Sequence, residues 1–221
     1  MSRNNRAGLR QAIVEASLKL GAELGEDGLT MRGIASRLGV SATALYQHFD
    51  SKAAILREIR LYGSDLLSHE ITEKCSSIES PLDRVRAMAV SYIAFARKQP
   101  WLYSVLMRSE RLDWTTMNPE EIERTLRPLT RLRSWLREGV DKGVWRPGID
   151  PEVASFRLWA GLHGLCDLML SGRIDENHPA FPIKSQVQFV EDFIQGVIGT
   201  LVATPVAAPE LSSVPSPEPA N

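Results

Sequence analysis

Cysteine is scarce in this chain. Among 221 residues only Cys75 and Cys166 carry thiols, and they form no C-x-x-C spacing. That argues against a disulfide-built scaffold or a cysteine zinc site and fits a reducing compartment. Net charge is scarce too: 26 Lys and Arg against 27 Asp and Glu leave −1. This excludes a protein that grips nucleic acid by bulk charge, while allowing a local basic patch. Long apolar runs are missing, and none approaches the roughly 18 residues that span a bilayer. The start, Met1-Ser2-Arg3-Asn4-Asn5-Arg6, is polar where a secretory signal would be apolar. These features predict a cytoplasmic protein. Alternating strand patterns closed by Asn-Gly or Asp-Gly turns are also lacking, since Asp27-Gly28 lies between helical signals.

What is present suits a folded helical protein. Apolar residues make up 43% and charged residues 24%, near the globular average. The charge is uneven: residues 1–62 hold nine Lys and Arg against six Asp and Glu, and the remainder holds 17 against 21. A mildly basic head therefore precedes an acidic body. The last 17 residues carry five of the 13 prolines and no aromatic, Lys or Arg. They cannot bury enough apolar surface to offset chain entropy, so 204–221 reads as a disordered tail. Elsewhere the apolar spacing is helical, which predicts an all-α protein with a head over 1–52 and a body over 53–203.

The helix signals are local and chemical. A first helix over about 7–24 places Leu9, Ile13, Ala16, Leu20 and Leu24 on one stripe and ends in a Gly25–Gly28 turn. Thr30 is an N-cap, with Leu29 and Ile34 as its hydrophobic staple, and Gly39 is a left-handed C-cap. Val40, Ser41 and Leu45 repeat the device for a third helix ending near Tyr46–Gln47. A fourth starts near Asp50/Ser51 and continues beyond Tyr62. In the body, Ser80-Pro81-Leu82-Asp83 opens a helix to about Lys98, and Pro100 breaks the chain before a short helix over Trp101–Met107. Asn118-Pro119-Glu120-Glu121 opens the next, with Pro128 expected to kink or split it and Gly143 to close it. Asp150-Pro151-Glu152 starts a helix to about Gly172, and a last one runs over Lys184–Val202.

Two short helices joined by a turn at Gly39, behind a longer first helix, make a helix-turn-helix. Such a unit lays its second short helix in the major groove with its N-terminal residues at the base edges. Here those are Ser41, Ala42 and Thr43, small enough for close approach. Tyr46, Gln47, His48 and Lys52 follow, with hydroxyl, amide, imidazole and ammonium groups suited to phosphate oxygens. Thr30, Met31 and Arg32 at the start of the preceding helix complete the candidate DNA-binding set.

The stretch Thr30-Met31-Arg32-Gly33-Ile34-Ala35-Ser36-Arg37-Leu38-Gly39-Val40-Ser41-Ala42-Thr43-Ala44-Leu45-Tyr46-Gln47-His48-Phe49-Asp50-Ser51-Lys52 closely resembles the DNA-binding signature of TetR-type transcriptional regulators. The resemblance covers about residues 7–60. It implies a homodimer with two recognition helices, a ligand-sensing body of about six helices, and dimerisation through the last two. Gly33 departs from the family pattern, where an acidic residue is frequent. That choice weakens the second helix by roughly 1 kcal/mol relative to Ala and removes a capping-box partner. In the body, Trp159-Ala160-Gly161-Leu162-His163-Gly164 resembles the Trp-x-x-x-His-Gly stretch of one subgroup of TetR C-terminal domains.

All five tryptophans fall in the body. Apolar pockets between helices are built from aromatic and methionine side chains, so Phe95, Trp101, Tyr103, Met107, Trp135, Trp159 and His163 are candidates for an effector cavity. His163, Cys166 and Asp167 share one helical face, as a thiol nucleophile or metal site would require. No oxyanion donors or fourth ligand accompany them, so a structural histidine is the better reading and no metal or cofactor is expected. Gly161 and Gly164, with the apolar face of 184–202, suggest a two-helix patch that pairs with its copy in a four-helix bundle.

Together these features predict a ligand-responsive homodimeric repressor, not an enzyme. It would bind a palindromic operator in double-stranded DNA and be released by a small hydrophobic effector. The alternatives are an activator or global regulator of the same fold, or a ligand-binding module whose DNA head is non-functional.

Overall fold

The computed structural model describes residues 3–107, 112–180 and 183–202. The expected tail over 204–221 lies outside them. Among the described residues there are nine helices and no strand. They are α1 (Arg3–Gly28), α2 (Met31–Leu38), α3 (Ala42–Tyr46), α4 (Lys52–Cys75), α5 (Pro81–Lys98), α6 (Pro100–Met107), α7 (Pro119–Asp141), α8 (Pro151–Leu170) and α9 (Gln186–Val202). No helix among them is long and apolar enough to cross a membrane.

The caps written in the sequence are the caps of the structure. Thr30, Ser41, Ser51 and Ser80 each accept the backbone N–H three residues on, at 3.0–3.3 Å. Asn118 forms a full capping box with Glu121, both bonds at 3.0 Å. Asp150 accepts from Glu152 N at 2.8 Å. Each satisfies N–H groups that the first helical turn leaves without partners.

Two expectations change. The Gly25–Gly28 turn is a single break at Gly25, whose φ of 73° suits a residue without Cβ, and helical backbone resumes to Gly28. Leu24 therefore leaves the buried stripe: it is 58% exposed and lies over Gly28 at the helix end. Pro128, in turn, does not split α7, which runs unbroken through it. A proline has no N–H to give the carbonyl four residues back, so Arg124 O loses its helical donor. Ser64 Oγ of α4 donates to that carbonyl instead, at 2.8 Å, and to Thr125 O at 3.3 Å.

One continuous core runs from head to body. Ile13, Leu20, Leu29, Ile34, Leu45, Ile55 and Ile59 form its head portion, each at most 6% exposed. α4 carries it onward through Leu67, Ile71 and Cys75 into the helices of the body. Polar links fasten α4 to α7. Arg57 pairs with Glu121 at 2.5 Å, and Asp65 receives Arg124 at 2.7 Å and Arg127 at 2.9 Å.

Candidate functional site

In the head, the short helices are placed by their staples and by the turn between them. Leu29 and Ile34 are fully buried on either side of the Thr30 cap, as is Leu45 after the Ser41 cap. Gly39 takes the left-handed conformation, φ 65° and ψ 29°, and its N–H returns to the last carbonyls of α2. Gly33 N is the donor that Thr30 Oγ1 accepts, so the cap survives the departure from an acidic residue there. With Leu45 turned inward, Ser41, Thr43, Tyr46 and Gln47 are left exposed and Ala42 is half-buried. Tyr46 is 50% exposed, an aromatic ring that the protein itself does not cover. Thr30 and Arg32 are exposed beside them at the start of α2, with Met31 half-buried.

The charges of the head are largely committed. Arg37 forks onto Glu23 of α1, and the hydrogen bond from that guanidinium holds the Glu23 carboxyl below its ordinary range. Arg10 pairs with Glu58 at 2.6 Å and stacks 4.3 Å above the Phe49 ring. Arg32 pairs with no carboxylate among the described residues. His48 sits apart from the α3 outer face, half-buried on an open polar groove of about 450 Å³ shared with Arg10, Arg57 and Glu58. Lys52 is the larger surprise. Its ammonium donates to Glu26 O at 2.5 Å, closing the end of α1 from the first turn of α4. The sequence could not show this, because the carbonyl it meets lies 26 residues away.

In the body, a cavity of about 440 Å³ opens between α4, α5, α6, α7 and α8. Its wall is almost wholly apolar: Leu67, Met88, Leu106, Met107, Leu126, Leu129, Leu132, Phe156, Trp159 and Leu162, with Leu112 and Trp114 from the α6–α7 connection. Arg60, Ser64, Tyr92 and Thr125 are the lining residues that carry polar side-chain groups, and Pro128 lines it beside them. Thr125 Oγ1 is buried without a hydrogen-bond partner. Such a group costs about 1–3 kcal/mol while it stays unpaired.

Of the seven residues expected to line a cavity, Met107 and Trp159 do so. Tyr103 and His163 stand behind the wall. Tyr103 and His163 Nδ1 share a hydrogen bond at 2.7 Å, Tyr103 also meets the Tyr92 hydroxyl at 3.2 Å, and His163 stacks on Trp159. Burial holds both phenols well above their ordinary pKa, so they act as neutral hydrogen-bonding groups. The other three are packing residues. Phe95 is fully enclosed in the core, and Trp101 covers Gly21 of α1. Trp135 is 7% exposed beneath the Arg84 guanidinium, 5.6 Å from its ring centre. Aromatic content in a helix does not say which side faces the void. Leu126, Leu129 and Phe156, which line it, carry no sequence mark beyond helical spacing: Leu126 and Leu129 lie three residues apart, as do Phe156 and Trp159.

The His163–Cys166–Asp167 face makes no reactive centre. His163 is engaged with Tyr103, and burial pushes the Cys166 thiol up to about 11, far from the thiolate that nucleophilic chemistry needs. Among the described residues, no three His, Cys, Asp or Glu side chains gather as a metal site would require. On α8, Val153, Phe156 and Leu168 are exposed, as is Val187 on α9. Gly161 faces Phe193 and Val197 of its own chain at ordinary contact distance, and Gly164 faces open space.

The N-terminal profile of bacterial regulatory proteins of the tetR family matches residues 13–59, and the tetracyclin repressor-like C-terminal domain matches residues 85–190. The nucleoid occlusion factor SlmA of Vibrio cholerae is 31% identical over 147 residues, which cover 63% of this chain and 74% of that protein. Among solved structures, a protein of unknown function from Rhodococcus sp. RHA1 superposes with a TM-score of 0.74 at 21% identity, over 88% of this chain and 96% of the other. A TetR family transcription regulator from Marinobacter aquaeolei superposes with a TM-score of 0.66 at 18% identity, over 90% and 98%. The chain belongs to the tetR family: it is a transcriptional regulator with an N-terminal helix-turn-helix DNA-binding domain and a C-terminal helical domain.

Proposed function

We propose that this regulator is a homodimeric repressor that binds an inverted-repeat operator and is released by a small apolar effector held in the α4–α8 cavity. One observation carries the reading. α4 is a single helix that begins at Lys52, bonded to the end of α1, and passes the wall of the cavity at Ser64 and Leu67. An occupant that displaces α4 therefore also displaces the head. Affinity for DNA then falls by as much as the effector prefers the displaced state.

On the DNA, the small residues Ser41, Ala42 and Thr43 would approach base edges. Tyr46, Gln47, Thr30 and Arg32 would fix the register on phosphates, with Met31 packed beneath them. His48 and Lys52 lie at the margin of this surface, and Lys52 serves first to join α4 to α1. The exposed apolar face of α8 and α9 supplies a self-complementary patch for a two-fold dimer. Such a dimer would set the two α3 helices about one DNA turn, roughly 34–36 Å, apart. The domain division falls within α4, with the head over 1–52 and the body over 53–203.

The test is selection from random duplex DNA by the purified full chain at about 0.1 M salt, where non-specific charge binding is partly screened. We expect an enriched inverted repeat, and a loss of about 1–3 kcal/mol of binding in Tyr46→Ala with the melting temperature unchanged. A folded dimer that enriches no sequence would overturn the reading and leave a ligand-binding module with an inactive head. An enriched site that no hydrophobic compound releases would leave a regulator without effector control, the behaviour of a global DNA-binding protein.

A further inference from the structure

The cavity wall holds one polar seam, and the seam has a specific hydrogen-bonding character. Where Pro128 enters α7, the Arg124 carbonyl has no helical donor, and Ser64 Oγ spends its single proton on that carbonyl and on Thr125 O. A hydroxyl has one donor and two acceptor lone pairs, so Ser64, which lines the cavity, has only acceptor capacity left to offer a ligand. One turn before Pro128, Thr125 Oγ1 is buried and makes no hydrogen bond at all. Threonine in a helix divides between two side-chain rotamers, so this hydroxyl can turn toward a partner at little cost. An acceptor on α4 and an idle donor on α7 thus stand on the same wall.

Resting on the effector-cavity reading above, we propose that the cavity takes a neutral, largely apolar alcohol or phenol. Its hydroxyl donates to Ser64 Oγ and accepts from Thr125 Oγ1. A ketone or ether could use only half of this pair. A carboxylate could not donate to Ser64, and it would lie against the Arg124 and Thr125 carbonyl oxygens, whose dipoles repel an anion. The other polar groups of the wall already have partners. The Tyr92 hydroxyl meets Tyr103 at 3.2 Å, and Arg60 has a contact of its own within the protein.

The probes are 4-hydroxybiphenyl, biphenyl and biphenyl-4-carboxylate, which share one rigid skeleton and differ in a single group. They are titrated calorimetrically into the full-length protein and into Ser64→Ala and Thr125→Val. Thr125→Val keeps the side-chain shape and removes no hydrogen bond that the protein makes, so it guards against a folding defect in Ser64→Ala. We expect 4-hydroxybiphenyl to bind about tenfold more tightly than biphenyl and the carboxylate more weakly than both. The hydroxyl preference should fall in each variant, which keeps only one of the two bonds, while biphenyl affinity stays the same. Equal binding of phenol and hydrocarbon, or a preference undiminished in Thr125→Val, overturns the proposal and leaves the cavity reading intact. Tightest binding by the carboxylate overturns it in favour of an acidic ligand held by Arg60. Failure of all three to bind removes the cavity reading itself, and this proposal with it.

Discussion

Gly21 and Trp101 define what a single residue does here. A Cβ on Gly21 would lie 2.0 Å from the Trp101 ring, so the absence of a side chain on α1 lets the indole of α6 approach the head closely. Overpacking of this kind costs about 1–3 kcal/mol. Gly21→Ala is therefore expected to lower the melting temperature by several degrees in differential scanning calorimetry, about 2–4 °C per kcal/mol for a chain of this size. An unchanged melt would mean that the ring swings aside freely and is no wedge. Trp101 is also the clearest misreading made from sequence. Its neighbours suggest an apolar pocket, and nothing local says that the partner is a glycine 80 positions earlier. Lys52 carries the same lesson, as its ammonium serves a carbonyl in α1 that only the fold brings near.

At the scale of an element, Glu121 joins two jobs. It closes the capping box with Asn118 and pairs with Arg57 of α4. Partial burial pushes its carboxyl pKa up, but the Asn118 N–H and the Arg57 guanidinium outweigh that and hold it below the ordinary 4.5. A depressed carboxyl pKa stabilises the fold above pH 4.5 and loses that contribution as pH falls through the lower folded value. Glu121→Ala should therefore be less stable at pH 7 by about 1 kcal/mol, the usual worth of a cap, and the gap to the parent should narrow below pH 4. Urea denaturation at both pH values measures it, and a gap that is independent of pH would assign the loss to helix propensity instead. Elements of this kind were legible in advance because Thr30, Ser41, Ser80, Asn118 and Asp150 state their caps within three residues. Pro128 was legible as a disturbance but not in its outcome, since the donor that keeps α7 whole comes from Ser64 on another helix.

At the scale of the whole molecule, the proposed dimer rests on the exposed apolar face of α8 and α9, and with it the number of heads that reach the DNA. Leu168 and Val187 are 41% and 63% exposed and lie away from the cavity wall, so changing them disturbs neither the core nor the cavity. The double variant Leu168→Asp/Val187→Asp is expected to sediment at the monomer mass of 24.6 kDa at micromolar concentration, against twice that for the parent. Its operator affinity should fall by at least about a hundredfold, because two half-sites no longer bind as one. A parent chain that sediments as a monomer would refute the dimer outright.

The fold class, the helix order, the caps and the exposed residues of α3 follow from the sequence alone, because each depends on contacts within about four residues along the chain. A cap needs its own first turn, a staple the next, and the exposed side of a short helix is whatever its buried leucine leaves. The cavity depended on the tertiary structure. Residue type points to seven candidates, and two line the void, because the wall is set by how five helices cross and not by the nature of any side chain. The polar seam is tertiary for the same reason: the carbonyl that Pro128 frees and the hydroxyl that answers it are 60 residues apart, and no local pattern joins them.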